Sequence, residues 1–455
     1  IQIIKVLLRS VVCALSIAGS DSGGGAGIQA DIQTMAALGV YPCTVITAIT
    51  AQNTSRVNHI TPVDSHSIRK QIESIFSDIP IRAIKIGMVY NKEIISIVSS
   101  YLKKYEAPIV LDPVLAAGTG AKLLLEKNLE EFKSKLIPLA VLITPNINEA
   151  QKLSGIKIRT ESDITEAAFK IKELGAKNVI VKGGHFNDSK QVVDILIDKN
   201  NNATRISNAR IHLSETHGSG CNFSAAMTAF IAKKFPISSS CIMANKYVQE
   251  SLSDVINLGR GLPVTAPLFS MYDDACRYRT VAELTTAVSE LTTIHRFREF
   301  IPETQSNMVY ALPYAKNANE VAGVDGRIVK LIDGFRPAGM VKFGASKHVA
   351  SAVLSFMKFN PLIRSAVNIR FDEALLDCCK SLYPTTEYCR DQEPEKVKQI
   401  EGRTISWGIQ KALLENPKSE IIYHKGDFKK EPMILVFGQH PLELIVKIRE
   451  IIRRY

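Results

Sequence analysis

Short runs rich in β-branched residues alternate with longer amphipathic segments over the first part of the chain, from Val11 to about Leu262. Examples are VVCALSIA followed by IQADIQTMAALG, and later CTVITAITA, IRAIKIGM and PIVLDPVL. Strands that alternate with helices pair in parallel, because each helix carries the chain back to the same end of the sheet. The pattern therefore predicts an α/β fold with a mainly parallel sheet between layers of helices.

The chain of 455 residues is longer than one typical core requires, so a domain boundary is expected. Residues 257–274 hold two glycines and two prolines without clear periodicity, which is typical of a linker. A predicted long helix, roughly 278–300, then leads into a second alternation of strands and helices. The sequence thus predicts a first domain over residues 1–262 and a second, smaller α/β domain over 275–455.

The composition limits the function classes. A formal charge of +11 favours anionic ligands, but no dense Lys/Arg run indicates nucleic acid. The eight cysteines form no CxxC pair, so neither a zinc knuckle nor a disulfide framework is indicated. The apolar N-terminal stretch is interrupted by Arg9, and no apolar run is long enough to span a bilayer. We expect a cytoplasmic homo-oligomer that acts on small molecules, without nucleic acid or membrane partners.

A glycine-rich loop, AGSDSGGGAGIQAD, lies between the first predicted strand and helix. Glycines let backbone N–H groups approach a ligand closely, and a helix N-terminus attracts negative charge. The loop matches neither the Walker A pattern nor a strict GxGxxG loop. By itself it is equally consistent with a tight turn.

The segment THGSGC precedes an apolar helix near the end of the first domain. Gly218 and Gly220 before a helix start would let free N–H groups converge on a transferring phosphoryl group. Cys221 would then lie at the positive end of the helix, where a thiol's pKa is lowered, and could act as the base for a substrate hydroxyl. Packing as a small hydrophobic residue is an equally good interpretation of Cys221 from the sequence.

Seven motifs carry a family resemblance in register: AGSDSGGGAGIQAD, TAITAQNT, KIGM, LDPV, TPNINEA, VKGGH and THGSGC. In this order they resemble the hydroxymethylpyrimidine and phosphomethylpyrimidine kinases of the ribokinase-like superfamily, over residues 11–262. The resemblance implies a three-layer α/β/α sandwich and a kinase that uses ATP and Mg²⁺. It also implies two successive phosphorylations at one site, first of the pyrimidine alcohol and then of its monophosphate.

The same resemblance assigns a substrate pocket. It implies that Gln52 hydrogen-bonds the aminopyrimidine ring and that Gly19 and Met88 line the pocket. An amide offers both a donor and an acceptor, which suits an aminopyrimidine edge. Without the family, Gln52 would be interpreted as a strand-end cap and Met88 as ordinary core.

The resemblance further implies that Asp112 and Glu149 hold Mg²⁺ and the water near the phosphates, and that Lys182 lies near the phosphates of ATP. Both carboxylates follow predicted strands, at the end of an α/β sheet where ligands bind. Helix or turn capping is the alternative role for each carboxylate, and an ordinary surface position is the alternative for Lys182.

The second domain resembles the ThiN-type thiamine phosphate synthases through NMVYALPYAKNANEVAGVDGRIVK, GMVKFGASKHVASAVL, AVNIRF, EGRTISWGIQKAL and KEPMILVFG. The resemblance implies condensation of the pyrimidine diphosphate with thiazole phosphate, with release of diphosphate. Arg327 and His348 supply cations beside loops and a helix start. We predict that Arg327 contacts the leaving diphosphate and that His348 either donates to the same diphosphate or orients the thiazole phosphate. From the residues alone, the favoured interpretation is that Arg327 opens a surface strand and His348 lies on a helix face, each without a ligand.

Two other functions remain open. The second domain is alternatively a regulatory module that senses thiamine compounds, although no helix-turn-helix output module is evident. The first domain is alternatively a pyridoxal-type kinase with the same anion-binding loop and different ring recognition. Gln52 within AQNT favours the pyrimidine.

Overall fold

The computed structural model describes residues 11–184, 191–211, 216–253, 255–394, 403–427 and 431–455. The chain divides into two compact units, Ile1–Tyr272 and Asp273–Tyr455. Arg9 and the histidine of the VKGGH motif lie outside the described residues. Within the described ranges, no helix combines the length and the apolar character that crossing a membrane requires.

A nine-stranded sheet forms the centre of the first unit, in the order β3-β2-β1-β4-β5-β6-β7-β8-β9. Strands β1, β2 and β4 to β7 are parallel, while β3, β8 and β9 each pair antiparallel with the preceding strand. The strands are β1 Cys13–Asp21, β2 Tyr41–Gln52, β3 Val57–Pro62, β4 Ile81–Ile86, β5 Ile109–Leu111, β6 Leu142–Ile143, β7 Val179–Val181, β8 Gln191–Ile197 and β9 Ala203–Ala209.

Helices cover both faces of this sheet. They are α1 Gly27–Ala37, α2 Ser65–Phe76, α3 Lys92–Leu102, α4 Leu129–Lys135, α5 Ile147–Ser154, α6 Glu161–Glu173, α7 Ser219–Ala232 and α8 Ile237–Ser253. Alternate strand residues pack into two separate cores, one against α2 to α6 and the other against α1, α7 and α8. The predicted three-layer α/β/α sandwich is therefore confirmed.

The segment interpreted as a linker contributes to the first unit. Val264 pairs with both His217 and Ile256, and the Leu262 amide donates to the carbonyl of Thr54 at 2.9 Å. The Thr265 hydroxyl accepts from Asn222 of α7 at 2.7 Å. The stretch lacks periodicity because its path is irregular, yet Val264, Thr265 and Ala266 are buried and specific hydrogen bonds hold it. The boundary after residue 262 stays a prediction.

The long helix predicted over 278–300 is observed as α9, Phe269–Thr292, followed by the 3-10 helix His295–Phe300. It begins two residues after Pro267, which can precede a helix but cannot lie inside one. It ends before Ile294, whose backbone leaves the helical region at φ −91°, ψ 78°. The prediction was therefore shifted by about two turns.

The second unit has its own sheet of seven strands, in the order β14-β11-β10-β15-β18-β17-β16, and a separate hairpin of β12 and β13. Its pairs are antiparallel except for β16 with β17. The strands are β10 Met308–Ala311, β11 Val321–Val324, β12 Ile328–Leu331, β13 Gly334–Pro337, β14 Val341–Phe343, β15 Ser365–Arg370, β16 Thr385–Glu387, β17 Ile421–His424 and β18 Met433–Gly438.

Helices again cover both faces of the second sheet: α10 His348–Met357, α11 Glu373–Leu382, α12 Arg403–Glu415 and α13 Pro441–Arg454. One core joins the sheet to α9, α11 and α13, and the other joins it to α10 and α12. The prediction of a second, smaller α/β domain is confirmed, with a mostly antiparallel sheet.

Candidate active site

A cavity of about 980 Å³ opens in the first unit. All nine residues predicted for the kinase site line it: Gly19, Gln52, Met88, Asp112, Glu149, Lys182, Gly218, Gly220 and Cys221. They come together because Gln52 ends a strand, and Met88, Asp112 and Lys182 follow the ends of three others. Neighbouring parallel strands end at the same edge of a sheet, where α/β proteins bind ligands.

The glycine-rich loop is held from within by Asp21, the last residue of β1. One carboxylate oxygen of Asp21 accepts from the Gly23 amide at 2.8 Å, and the other accepts from Gly25 and Ala26 at 3.1 and 2.9 Å. Gly27 has φ +57°, and a Cβ there would lie 2.3 Å from a carbonyl oxygen. The loop therefore requires glycine for steric reasons and is preorganised by one carboxylate.

The second loop packs directly against the first. Gly218 precedes α7 with φ +93°, and a Cβ on it would lie 2.0 Å from the carbonyl oxygen of Gly25. A Cβ on Gly220 would lie 3.4 Å from Nζ of Lys182. The free amides at the start of α7 therefore face the cavity beside a buried ammonium group, which is an arrangement that binds phosphate.

The end of the cavity that is predicted to hold the substrate contains a pair of residues in close contact. A Cβ on Gly19 would lie 2.8 Å from Sδ of Met88, so any larger residue would displace that side chain. The Thr47 hydroxyl donates to the Met88 carbonyl at 2.6 Å and fixes the backbone of the loop after β4. Gly19 and Met88 thus form one wall, as the predicted pocket requires.

Gln52 does not stand alone at this end. Nε2 of His217 lies 3.0 Å from Nε2 of Gln52 and 2.9 Å from Oδ2 of Asp21, and all three side chains are buried. His217 donates to Asp21 when Nε2 carries the proton, and accepts from Gln52 when it does not. Burial alone would raise the pKa of Asp21, but hydrogen bonds from His217 and Gly23 outweigh burial and lower it. Sequence reasoning missed His217 and Asp21, although both lie inside the motifs it used.

Cys221 lies at the start of α7, above a fully buried ion pair between Lys85 and Asp31. Nζ of Lys85 also lies 3.5 Å from the Cys221 carbonyl oxygen, and Ser16 donates to Asp31 at 2.5 Å. Burial raises the pKa of the Cys221 thiol to about 11, although the positive charge of Lys85 acts in the opposite direction. The expectation of a lowered pKa at the helix N-terminus was wrong, because burial outweighs the helix end and the neighbouring ammonium.

The carboxylates predicted to hold Mg²⁺ surround Lys182. Oδ1 of Asp112 lies 3.5 Å from Nζ of Lys182, while its Oδ2 accepts from Ser224 at 2.9 Å. Burial raises the pKa of Glu149 to about 7, with a further contribution from Asp112 and opposition from Lys182. Glu149 also closes a capping box with Asn146 at the start of α5, so the alternative capping role is present as well. The two carboxylates offer the oxygen atoms that Mg²⁺ prefers.

The second unit does not bring Arg327 and His348 into a described contact. Arg327 follows the turn after β11, at the end where Val324 pairs with Val341, and its guanidinium donates to the Thr304 carbonyl. His348 begins α10, which follows the other end of β14, and both side chains are exposed. The contact of Arg327 with diphosphate, and that of His348 with diphosphate or thiazole phosphate, stay predictions.

Comparisons with known proteins divide the chain in the same way. Residues 21–265 match the phosphomethylpyrimidine kinase family, and residues 283–450 match the thiamine-phosphate synthase ThiN family. The bifunctional thiamine biosynthesis protein ThiDN of Methanocaldococcus jannaschii is 30% identical over 97% of this chain and 98% of its own length. The hydroxymethylpyrimidine/phosphomethylpyrimidine kinase of Haemophilus influenzae is 42% identical over 56% of this chain and 96% of its own length.

Among solved structures, pyridoxal kinase of Bacillus subtilis in complex with ADP is similar at a TM-score of 0.52 and 35% identity. The match covers 56% of this chain and 97% of that one. Pyridoxal kinase of Staphylococcus aureus in complex with AMP-PCP and pyridoxal gives 0.53 and 30%, over 57% of this chain and 94% of that one. With both families matched in order and a bifunctional relative matched along nearly its whole length, the chain belongs to the phosphomethylpyrimidine kinase family, joined to a thiamine-phosphate synthase ThiN domain, and is an enzyme of thiamine biosynthesis.

Proposed function

We propose that the first unit phosphorylates 4-amino-5-hydroxymethyl-2-methylpyrimidine and then its monophosphate, using ATP. The observation that carries this proposal is that one cavity holds Gln52 together with the glycine loops and Lys182. A ring bound against Gln52 and Met88 would direct its hydroxymethyl group toward Cys221 and the start of α7. Both phosphorylations then use one site, because the monophosphate differs from the alcohol only on the side that faces the anion-binding loop.

In this proposal, Gln52 selects the pyrimidine ring. Its amide supplies a donor and an acceptor inside a buried pocket, and His217 holds it at 3.0 Å. The same Nε2 lies 2.9 Å from Asp21, so His217 accepts from the Gln52 amide in one tautomer and donates to Asp21 in the other. Fixed polar groups in a dry pocket discriminate strongly against ligands that cannot pair with them.

In this proposal, Lys182 and the amides of Gly218 and Gly220 bind the phosphate groups. These groups offer positive charge that is buried and fixed, which stabilises charge developing on a transferring phosphoryl group. Asp112 and Glu149 would hold Mg²⁺, which supplies charge neutralisation on the phosphate oxygens. Their oxygens fit a hard cation, and a cation would also favour the ionised form of Glu149.

Cys221 is the proposed acceptor of the substrate's hydroxyl proton. With a pKa raised to about 11, the free enzyme holds Cys221 as a thiol at neutral pH. The phosphoryl transfer transition state is loose, so proton removal is needed late in the step. The charge of Lys85 and a hydrogen bond from the backbone of Gly27 both favour a thiolate. Cys221 therefore acts through the small thiolate fraction, which increases with pH.

For the second unit we propose condensation of the pyrimidine diphosphate with thiazole phosphate, giving thiamine phosphate and diphosphate. The match of residues 283–450 to the synthase family supports it. Arg327 is the proposed contact of the leaving diphosphate, because a guanidinium offers a fixed fork of donors. His348 is proposed to donate to the same diphosphate or to orient the thiazole phosphate.

One incubation tests both activities: the pyrimidine alcohol, ATP, Mg²⁺ and thiazole phosphate are supplied together, and products are separated by chromatography. We expect the mono- and diphosphate of the pyrimidine first and thiamine phosphate afterwards. Absence of the pyrimidine phosphates would contradict the kinase proposal. Their accumulation without thiamine phosphate would contradict the synthase proposal and favour a sensing role.

A pyridoxal kinase is the second candidate for the first unit, favoured by the likeness to solved pyridoxal kinases. The anion-binding loops would serve either substrate. Parallel kinase assays with the pyrimidine alcohol and with pyridoxal decide between them. We expect a higher kcat/KM for the pyrimidine, and the reverse order would favour the pyridoxal kinase.

A further inference from the structure

The side-chain amide of Gln52 lies between two fixed hydrogen-bonding groups in the cavity of the first unit. One end of the amide lies 3.0 Å from Nε2 of His217, and the other lies 3.4 Å from the Thr50 hydroxyl. All three residues are at most 9% exposed, yet all three line the cavity. Because a ring in the cavity meets this amide, the positions of its oxygen and its nitrogen decide how the ring binds.

His217 decides one end of the amide. Nε2 of His217 lies 2.9 Å from Oδ2 of Asp21. The Asp21 carboxylate already accepts from three backbone N–H groups, those of Gly23, Gly25 and Ala26. Such a carboxylate is held ionised and only accepts, so Nε2 of His217 carries a proton whether the imidazole is neutral or charged. A nitrogen of Gln52 at 3.0 Å from this N–H would set two donors against each other.

Thr50 decides the other end. Its hydroxyl donates to the Ser20 carbonyl at 3.0 Å. A hydroxyl has a single proton, so the side that faces Gln52 at 3.4 Å is a lone pair, which accepts. The end of the amide beside Thr50 is therefore its nitrogen, and the end beside His217 is its oxygen. The His217 N–H is then shared between the oxygens of Asp21 and Gln52, and two independent contacts select the same orientation of the amide.

These contacts leave one donor and one acceptor of the amide for a ligand. His217 occupies one lone pair of the amide oxygen, and Thr50 occupies one N–H. The second lone pair and the second N–H point out side by side. An aminopyrimidine presents a matching edge, an amino group beside a ring nitrogen, as adenine does toward glutamine. The ring then pairs through two hydrogen bonds, with its amino group on the His217 side.

We propose that His217 is a positioning residue that fixes the orientation of the pyrimidine ring, by holding the Gln52 amide with its oxygen toward His217 and its nitrogen toward Thr50. In 4-amino-5-hydroxymethyl-2-methylpyrimidine, the hydroxymethyl group is next to the amino group and away from the pairing nitrogen. An amino group on the His217 side therefore turns the hydroxymethyl group toward Gly218 and Cys221. The opposite orientation of the amide would turn the ring over and put its methyl group in that place.

One ligand reaches both parts of this arrangement, because Gln52, His217 and Lys182 line the same cavity. The charge of Asp21 is already compensated by three backbone donors and His217, so it does not exclude a phosphorylated ring. Pyridoxal has no amino group beside its ring nitrogen and does not match the amide edge. The inference rests on the proposed kinase function, which supplies the substrate.

His217→Gln separates positioning from structural support. The new side chain keeps an N–H for Asp21, but its oxygen offers an acceptor to the nitrogen of Gln52, so the Gln52 amide is no longer held in one orientation. Rings that bind in reverse occupy the cavity without presenting the hydroxyl. We expect kcat for the pyrimidine alcohol to fall about tenfold while its KM does not increase. An unchanged kcat would overturn the inference, and so would an increased KM, which indicates lost affinity instead of lost orientation.

Thr50→Val tests the other end of the amide and decides the matter if His217→Gln fails to fold. It removes the acceptor for the nitrogen of Gln52 and keeps the shape of the side chain. Thr50→Ser keeps the hydroxyl and is the matched control. We expect a several-fold lower kcat for Thr50→Val than for Thr50→Ser, again without an increase in KM. Equal kcat values for the two variants would overturn the inference.

Calorimetry on the full chain distinguishes failure of the inference from failure of the proposed function. The probes are the pyrimidine alcohol and its analogue in which C–H replaces the ring nitrogen beside the amino group. We expect about tenfold weaker binding of the analogue, because one N–H of Gln52 loses its acceptor. This difference in a protein that does not phosphorylate the alcohol would support the inference and contradict the kinase proposal. Phosphorylation of the alcohol together with equal affinity for the analogue would overturn the inference alone.

Discussion

The two units differ in whether their predicted site residues lie close together. In the first, nine residues predicted from scattered motifs line one cavity. In the second, Arg327 and His348 are separated by only 21 positions, yet they follow opposite ends of the β11–β14 ladder. The sheets explain the contrast. Parallel strands deliver every strand end to one edge, whereas antiparallel strands deliver successive ends to opposite edges. Nearness in sequence therefore predicts a site less well than strand direction does.

The largest effect is expected in the first unit, where the predicted residues line one cavity. Cys221→Ala should reduce phosphoryl transfer by roughly 10²–10⁴-fold, the usual contribution of a positioned proton acceptor. ATP binding should remain. The measurement is kinase turnover with the pyrimidine alcohol, and the retained ATP binding serves as the control for folding of the first unit. Unchanged turnover would return Cys221 to a packing role.

The raised pKa of Cys221 adds a pH dependence to this prediction. A base acts when deprotonated, so with a pKa near 11 the kinase rate should still be increasing above pH 8.5. Cys221→Ala should remove that increase. A wild-type rate that is flat from pH 7.5 to 9.5 would contradict a base role for Cys221.

The next largest effect is expected for Arg327 and His348, which the structure does not bring together. Arg327→Ala should slow condensation by about 10²–10³-fold if the guanidinium stabilises the leaving diphosphate, while kinase activity is kept. His348→Ala is measured in the same assay with preformed pyrimidine diphosphate and thiazole phosphate. Full condensation by both variants would exclude this pair from the site. Loss of both activities together would indicate misfolding.

The stability of the second unit is expected to depend on pH through His424. His424 is buried and neutral, with a pKa lowered from 6.5 to about 4. The unfolded chain binds this proton below pH 6.5 and the folded chain does not, so stability is lost as the pH falls from 6.5 to 4. The loss amounts to about 3 kcal/mol for the second unit. The check is urea unfolding followed by Trp407 fluorescence, and His424→Gln should remove most of the pH dependence. An unchanged dependence in that variant would contradict the assignment.

The smallest expected effect concerns ring recognition in the first unit. Gln52→Leu should weaken binding of the pyrimidine alcohol by about 1–3 kcal/mol, because the ring loses a paired hydrogen bond in a buried pocket. KM for the pyrimidine should increase while KM for ATP stays the same. A constant KM for the pyrimidine would mean that the ring binds elsewhere in the cavity.

Much of this was predictable from the sequence. The alternation of strands and helices predicted both α/β units, and the motifs predicted the residues that line the cavity, because the ends of parallel strands converge. The predicted position of α9 was shifted along the chain, because the irregular segment before Phe269 concealed the start of the helix. The role of His217 was not predictable, since its contacts with Asp21 and Gln52 span 196 and 165 positions. No local pattern carries information about partners so distant.

The sequence by itself determined the order of elements, the glycines that the two loops require and the family to which the chain belongs. Tertiary structure alone decided how charged each group is. Lys85 and Cys221 meet across 136 positions, and the burial that raises the pKa of the thiol comes from all the layers packed around it. Local sequence fixes backbone preferences and strand ends, whereas a pKa depends on the solvent that the whole fold excludes and on charges brought close by it.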